Sequence, residues 1–420
     1  MKIVTLATAA RELGWDDRFE TKLYANGPLT DGTLNGDLLV QGSGDPTIES
    51  SQIFTDWAEQ LRKFGIHTIT GRLIGDDGVV IVKDSTASVN PPGFGFGWSW
   101  DDLTFGFAAP IGPLQFKRNV VELVVEPGSR QGDPTHAFFR LPGSSLTIIQ
   151  HARTGAPGEA TQVRLRQTEK RSELLLDGRI ATDANAMVIQ TTVYNPTTFF
   201  METLKAVFAQ NGIEVQGPAI DIDTLATGER ISVQQNLSEL FEHRSEPLST
   251  SAIVMMKQSQ NLYAESVFQR IGLMADNVEP SGAKTITAML DNWGIDKTHA
   301  LIVDGSGLSR YNYLTANALT TILTQLSSDP IDYEQFVATL PIAALDGTLR
   351  DRMRGTKAAG NVRAKTGSMA QVRSLAGYVT TTSGEDFAFA FIANNFGKYG
   401  KGVSNAIDNA IVKIIEFRRH

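Results

Sequence analysis

The sequence contains no cysteine, which excludes disulfide bonds and thiolate chemistry. Its six histidines are scattered, and none forms the His-Glu-x-x-His or His-x-His spacing of a metal site. No apolar run approaches the roughly 18–20 residues that span a bilayer. Lysine and arginine number 38 against 46 aspartates and glutamates, whereas a nucleic-acid-binding protein normally carries a basic face. With 41% hydrophobic and 20% charged residues, the chain has the composition of a globular protein.

The amino terminus, Met1–Leu6, superficially resembles the start of a secretory signal. Charged residues follow from Arg11 onward, and no small-residue cleavage site is present. We therefore expect the chain as given to carry no export signal.

A length of 420 residues favours two or three domains. Apolar residues spaced three and four apart predict a helix over residues 2–13, which Gly14 would end. From about residue 20 to 230, short β-rich runs such as 78–82 and 120–125 alternate with Gly, Pro, Asp and Asn. This texture predicts sandwich-like β domains with a few helices.

From about residue 240 the helical periodicity returns, and one apolar stripe follows Thr315, a candidate N-cap. Two strands are predicted at Val372–Thr381 and Asp386–Phe396, before a final amphipathic helix. Helix, β-rich region, helices and antiparallel strands in this order predict an α+β fold split by an insertion.

The predicted α+β domain is discontinuous and comprises residues 1–26 and 233–420. Residues 27–232 form the predicted β-rich insertion, with two subdomains of which one is nested at about 45–120.

Because no histidine pattern supports a serine–histidine pair, a serine acyl-transfer enzyme would here need lysine to activate its hydroxyl. Lys365-Thr366-Gly367-Ser368 lies at the end of a short strand-like run, immediately before two longer strands. Such a run suits an anion site, since lysine supplies charge, threonine supplies a hydroxyl and glycine allows close backbone approach.

Upstream, Ser259-Gln260-Asn261 interrupts a helical region. These residue types commonly break one helix and cap the next. A helix start is also a place where side chains are presented rigidly to a cleft, so the structural and functional interpretations are compatible.

In combination and in this order, several runs resemble the class C low-molecular-mass penicillin-binding proteins, which are D-Ala-D-Ala carboxypeptidases and endopeptidases. The resemblance covers essentially the whole chain. The runs are Gly42-Ser43-Gly44-Asp45-Pro46, Gly71-Arg72-Leu73-Ile74-Gly75-Asp76-Asp77, Trp98-Ser99-Trp100-Asp101-Asp102, Ser259-Gln260-Asn261-Leu262-Tyr263-Ala264-Glu265, Asp304-Gly305-Ser306-Gly307-Leu308-Ser309-Arg310, Leu345-Asp346-Gly347-Thr348-Leu349 and Ala364-Lys365-Thr366-Gly367-Ser368. The resemblance implies a β-lactamase/transpeptidase-like domain interrupted by a large β-rich insertion.

The family depends on Ser-x-x-Lys, Ser-x-Asn and Lys-Thr-Gly motifs. Lys2 matches the lysine of the first motif, which places the nucleophilic serine two positions before Met1. Ser281-Gly282-Ala283-Lys284 has the spacing but follows Ser-x-Asn, so we interpret Ser281 as a helix N-cap. We expect the true start to lie upstream; the competing hypothesis is a chain that starts here and is inactive.

The resemblance implies that Lys2, kept nearly neutral by Lys365 and burial, deprotonates the serine. Ser259 would relay the proton, and Asn261 would hold the acyl-side amide. Lys365, Thr366 and Ser368 would hold the terminal carboxylate or carbonyl, while Gly367 lets the backbone approach and the Ser368 N–H joins the oxyanion hole.

No metal or cofactor is expected. The implied partners are the peptidoglycan stem peptide and β-lactam antibiotics, in the periplasm or cell envelope. Two alternatives stay open: a β-lactamase or esterase of the same fold, and a non-catalytic peptidoglycan-binding protein. Penicillin labelling separates them, since it gives a stable adduct, turnover or no reaction.

Overall fold

A computed structural model describes residues 1–76, 93–274, 281–397 and 399–418. The strand predicted at 78–82 lies outside these described residues. The chain forms two compact units, one of residues Met1–Arg18 and Glu246–His420 and the other of Phe19–Ser245. The domain division drawn from the sequence, at 26/27 and 232/233, stays a prediction.

The helices of the described residues are α1 (Lys2–Glu12), α2 (Ser51–Lys63), α3 (Pro196–Gln210), α4 (Thr227–Val233), α5 (Leu248–Lys257), α6 (Asn261–Met274), α7 (Gly282–Asn292), α8 (Ala316–Ser327), α9 (Pro330–Thr339) and α10 (Gly400–Ile415). None of them is both long and apolar enough to cross a membrane.

The strands of the same residues are β1 (Glu20–Asn26), β2 (Leu29–Thr30), β3 (Thr33–Leu34), β4 (Asp37–Gly42), β5 (Thr68–Ile69), β6 (Leu73–Asp76), β7 (Val120–Glu126), β8 (His136–Phe139), β9 (Thr147–Gln150), β10 (Arg153–Gly155), β11 (Gln162–Gln167), β12 (Glu173–Ala181), β13 (Met187–Thr192), β14 (Glu214–Val215), β15 (Ala219–Asp221), β16 (Ser238–Arg244), β17 (Ala300–Leu301), β18 (Tyr313–Leu314), β19 (Arg363–Met369), β20 (Val372–Thr380) and β21 (Asp386–Asn394).

The unit formed by the two ends of the chain contains the antiparallel sheet β19-β20-β21. Helix α10 packs on this sheet through Ile407, Ile411 and Ile415, which join its hydrophobic core. Helix α1 contacts α5, α6, α7, α8 and α9, and every residue from Lys2 to Ala10 is buried. A helix that is apolar almost all round is stable only when it is enclosed in this way.

Local sequence signals account for the ends of several of these helices. The Thr315 hydroxyl accepts the Ala318 N–H at 3.1 Å and caps α8, as predicted. The Ser281 hydroxyl accepts the Lys284 N–H at 3.4 Å and caps α7, so its interpretation as an N-cap is confirmed.

The other unit is built around a five-stranded mixed sheet in the order β15-β6-β4-β1-β16. Helices α2 and α3 cover it with an aromatic cluster in which Phe54 contacts Trp57, Phe116 and Phe200 at ring-centroid distances of 5.4, 4.8 and 4.9 Å. Smaller sheets, β14-β5-β3-β2, β13-β7-β8 and one centred on β12, complete the β-rich region.

Candidate active site

The first turn of α1 carries a buried lysine into the interior of its unit. Lys2 is only 7% exposed, and its Nζ donates to Asn261 Oδ1 at 2.5 Å and to the Ser306 carbonyl at 2.9 Å. The amine therefore meets the first residue of α6 and a backbone carbonyl of the segment between β17 and β18.

A break between α5 and α6 presents the two polar residues of Ser259-Gln260-Asn261. Helix α5 ends at Lys257 and α6 begins at Asn261, so the predicted helix interruption is confirmed. Ser259 has φ +59°, a left-handed conformation that is uncommon for a residue with a Cβ atom. With this backbone conformation, the Ser259 hydroxyl contacts Lys365 and the Asn261 side-chain amide contacts Lys2.

Strand β19 contributes the second lysine. Lys365 is 6% exposed, and its Nζ donates to Ser259 Oγ at 2.8 Å and to the Thr366 carbonyl at 3.0 Å. Strand β19 is an outer strand of the three-stranded sheet and pairs with the central strand, β20.

The remaining residues of the Lys-Thr-Gly-Ser run follow along β19. The Thr366 hydroxyl donates to Thr348 Oγ1 at 2.8 Å. A Cβ atom on Gly367 would lie 2.2 Å from Ser374 Oγ, so the Ser374 hydroxyl occupies the space that a side chain there would need. Ser368 is exposed and pairs with Arg373 in the ladder.

The structure therefore brings these residues together as two hydrogen-bonded pairs, Lys2 with Asn261 and Lys365 with Ser259, at the break between α5 and α6. Thr366 and Gly367 continue from Lys365 on the same strand, and Ser368 lies farther along, toward solvent.

The two lysines share a desolvated environment. Burial lowers the pKa of Lys2 to about 8, although the negative charges of Glu265 and Asp304 act to raise it. Burial, and then the charge of Lys2, hold the pKa of Lys365 well below its usual value. The sequence predicted that Lys365 and burial would both lower the pKa of Lys2. Burial does so, whereas the effect between the two lysines runs the other way, from the charge of Lys2 to the pKa of Lys365.

Sequence reasoning missed a buried carboxylate beside this cluster. Glu265 is 2% exposed; its Oε1 accepts the Ser306 N–H at 2.7 Å and its Oε2 accepts the Gly305 N–H at 3.2 Å. Burial, followed by the charge of Asp304, raises the pKa of Glu265 to about 7. The available signal was a carboxylate four residues after Asn261, which places it on the same face of the predicted helix as the Ser-x-Asn segment.

Asp304 organises the turn that Glu265 contacts. Its Oδ1 accepts the Gly307 N–H and the Asn312 side-chain amide, both at 2.8 Å, and its Oδ2 accepts the Ser309 N–H at 2.5 Å. The run that begins at Asp304 is therefore a carboxylate-held turn. Within the described part of the chain, no group of three or more metal-binding side chains is arranged to hold an ion.

The sequence profile of the D-Ala-D-Ala carboxypeptidase 3 (S13) family matches residues 1–416. The chain belongs to this family. Its enzymes are serine-type carboxypeptidases, so the predicted family and enzyme class are confirmed.

Individual members of the family are similar along nearly the whole chain. A D-alanyl-D-alanine carboxypeptidase of Actinomadura sp. (strain R39) is 30% identical over 439 residues, which cover 100% of this chain and 77% of that protein. The penicillin-sensitive carboxypeptidase A of Dictyostelium discoideum is 25% identical over 441 residues, covering 99% and 81% of the two chains.

The crystal structure of penicillin binding protein 4 (dacB) from Haemophilus influenzae superposes with a TM-score of 0.82 at 25% identity, covering 99% of this chain and 90% of that one. The predicted fold class, a transpeptidase-like α+β domain with a β-rich insertion, is confirmed by this match.

Proposed function

We propose that this S13 family member trims peptidoglycan stem peptides in the cell envelope through an acyl-enzyme intermediate. The observation that supports the proposal is the convergence of two buried amines on the Ser-x-Asn segment. Lys2 bonds Asn261, and Lys365 bonds Ser259, at the break between α5 and α6.

The proposal places the nucleophilic serine three residues before Lys2, which is two positions ahead of Met1. Side chains three residues apart share one face of a helix, so a hydroxyl there would lie beside the Lys2 amine. A polypeptide that includes that position is required for the proposed chemistry, and we expect the 420-residue chain alone to be inactive.

The proposed reaction begins when Lys2, as the free amine, accepts the serine proton while the serine oxygen attacks the penultimate D-alanine carbonyl. The tetrahedral intermediate then expels the terminal D-alanine as its C–N bond breaks, and the proton passes from Lys2 through Ser259 to the departing nitrogen. Water hydrolyses the remaining ester with Lys2 again as the base, which restores the enzyme.

Substrate orientation is assigned to β19. Lys365 and the Thr366 hydroxyl would hold the terminal carboxylate, with Ser368 adjacent on the strand. The N–H groups of Ser368 and of the nucleophile would bind the developing oxyanion, and such donors contribute about 3–4 kcal/mol each. Asn261 would hold both Lys2 and the acyl-side amide.

Penicillin is proposed to acylate the same serine, and the names of two relatives record sensitivity to or binding of penicillin. The carboxylate of the drug would occupy the position proposed for the terminal carboxylate of the peptide. Cleavage of a cross-linked peptide, an endopeptidase reaction, would use the same groups.

Two longer chains test the proposal, one with Ala-Ser-Thr and one with Ala-Ala-Thr ahead of Met1. The serine-containing chain should gain the mass of penicillin stably and release D-alanine from a synthetic D-Ala-D-Ala peptide. The alanine-containing chain and the 420-residue chain should do neither. A cross-linked muropeptide dimer, assayed in parallel, measures the endopeptidase reaction.

Other outcomes assign other functions. Rapid turnover of penicillin would indicate a β-lactamase or esterase, and muropeptide binding without acylation would indicate a non-catalytic binding protein. A covalent adduct on the 420-residue chain would show that the nucleophile lies elsewhere.

A further inference from the structure

Glu265 lies one helical turn after Asn261 on α6, so both side chains project from the same face of that helix. Its two carboxylate oxygens accept two consecutive backbone N–H groups, those of Gly305 and Ser306. A buried carboxylate satisfied in this way fixes the orientation of both peptide groups.

The carbonyl end of one of those peptide groups contacts α1. In the peptide group between Gly305 and Ser306, the N–H donates to Glu265 and the carbonyl accepts the Thr5 hydroxyl at 2.7 Å. The arrangement is therefore a chain of bonds from α6, through one peptide plane, to the first turn of α1.

The next peptide group repeats the pattern with the catalytic lysine. Its N–H, from Gly307, donates to Asp304 Oδ1 at 2.8 Å, and its carbonyl, from Ser306, accepts Lys2 Nζ at 2.9 Å. Two carboxylates thus each hold the N–H end of a peptide group whose carbonyl end holds α1.

We propose that Glu265 and Asp304 are positioning residues that aim the Lys2 amine, acting through the peptide groups of residues 305–307. A carbonyl whose N–H partner is bound to a carboxylate is a stronger acceptor, because hydrogen bonds in series polarise one another. The inference rests on the proposed function, in which Lys2 is the general base.

The same carboxylates bear on the protonation of Lys2. The charged groups that face Lys2 are the Met1 α-amino group, Glu265 from α6, Asp304 from its turn and Lys365 from β19. In the longer chain the α-amino group becomes an uncharged peptide nitrogen. Burial lowers the pKa of Lys2, and both carboxylates oppose that effect. Removing one negative charge should therefore lower the pKa of Lys2 further.

The test compares Glu265→Gln with Glu416→Gln in the serine-containing longer chain. Glu416 is a surface residue that pairs with Lys357 and Lys413 on the far end of α10, so its substitution is the matched control. The second-order rate of penicillin acylation is measured from pH 5 to 10. Glu265→Gln should reduce the plateau rate by about tenfold to a hundredfold, as displaced catalytic groups do.

The rising limb of the same pH profile should also move to lower pH in Glu265→Gln, and the control should show neither change. A loss of packing alone would lower the plateau without shifting that limb. An unchanged plateau and an unshifted limb would overturn the inference.

Amide hydrogen exchange of the 420-residue chain supplies a readout that needs no activity. Exchange at residues 304–309 and at the start of α1 should be faster in Glu265→Gln and unchanged in Glu416→Gln. Faster exchange together with an unreactive parent enzyme would contradict the proposed function and support the contact chain. Unchanged exchange would overturn the inference. If Glu265→Gln does not fold, Asp304→Asn takes its place in the same measurement, with the same two outcomes.

Discussion

Lys365→Met, made in the serine-containing longer chain, removes a buried ammonium group while keeping an unbranched side chain of similar length. In the native structure this amine donates to Ser259 Oγ at 2.8 Å. A hydrogen bond from a charged donor contributes about 1.5–3 kcal/mol, which corresponds to about tenfold to 150-fold in rate. Under the proposed mechanism both the Ser259 relay and the carboxylate contact are lost, so acylation by penicillin should fall by at least the lower figure.

The stability of Lys365→Met should not fall with its rate of acylation. Burial holds the pKa of Lys365 well below 10.5, so the native state binds its proton less tightly than the unfolded state does. Native stability is therefore lowest below the folded-state pKa and rises with pH until the unfolded chain also loses the proton. Lys365→Met avoids that penalty, and its melting temperature near pH 7 should equal or exceed that of the parent.

The control is Lys357→Met, the same chemical change on a side chain that is 58% exposed in the same unit. Stopped-flow acylation and thermal unfolding are measured on all three proteins. The control should match the parent in acylation. A Lys365→Met protein that melts well below the parent but is acylated at the parent rate would refute the reasoning, because the lysine would then be structural.

Three further predictions concern the same site. Ser259→Ala and Ser259→Gly should slow acylation equally. In urea unfolding the glycine variant should be more stable than the alanine variant by about 1–2 kcal/mol, because φ is +59° at this position. Equal stabilities of the two variants would contradict this. Gly367→Ala places a Cβ atom 2.2 Å from Ser374 Oγ and should lower both melting temperature and acylation. Adding Ser374→Ala should restore both, and no recovery would mean that the backbone itself needs glycine. Finally, burial lowers the pKa of Lys2 to about 8, so the free energy of unfolding should rise between pH 8 and 10.5. Lys2→Met should flatten that rise in denaturant titrations. The same pH dependence in the parent and in Lys2→Met would count against the lowered pKa of Lys2.

Helices and strands of the unit formed by the two ends of the chain were predictable because the sequence patterns that indicate them are local. The helix predicted over 2–13 spans Lys2–Glu12, and the strand predicted at Val372–Thr381 spans Val372–Thr380. Apolar periodicity and capping residues act within one or two turns, so neighbouring residues carry enough information. The last two residues predicted for the following strand fall beyond Asn394, where the ladder ends.

The arrangement of the β-rich region was not predictable in the same way. Strand β1 pairs with β16, and the register joins Glu20 to Arg244 and Thr21 to His243. Such pairing is decided by side chains packing across the sheet between segments more than two hundred residues apart. Composition indicates strands, but it does not indicate which of them are neighbours.

The candidate site was likewise predictable only in part. The motif residues could be named because the groups proposed to act are their own side chains, and a hydroxyl, an amide and an amine are visible in the sequence. Glu265 acts on backbone groups of residues 305 and 306, and a peptide group looks identical at every position of a sequence. Only the fold shows which peptide groups a carboxylate meets.

Two buried lysines in one cluster would be costly if they stood alone, since each loses its hydration and repels the other. Here Glu265 and Asp304 accompany Lys2, and the carboxylates are themselves satisfied by backbone N–H groups of the turn. The charges of Lys2, Glu265 and Asp304 therefore balance one another, so removing Lys2 or Glu265 alone leaves the remaining charges buried and less well compensated. The energetic effects of substitutions at these positions should consequently be non-additive: the combination of Lys2→Met with Glu265→Gln should cost less stability than the sum of the two single changes. Urea unfolding of the two single variants and the double variant measures this coupling, and strict additivity would show that the two residues act independently.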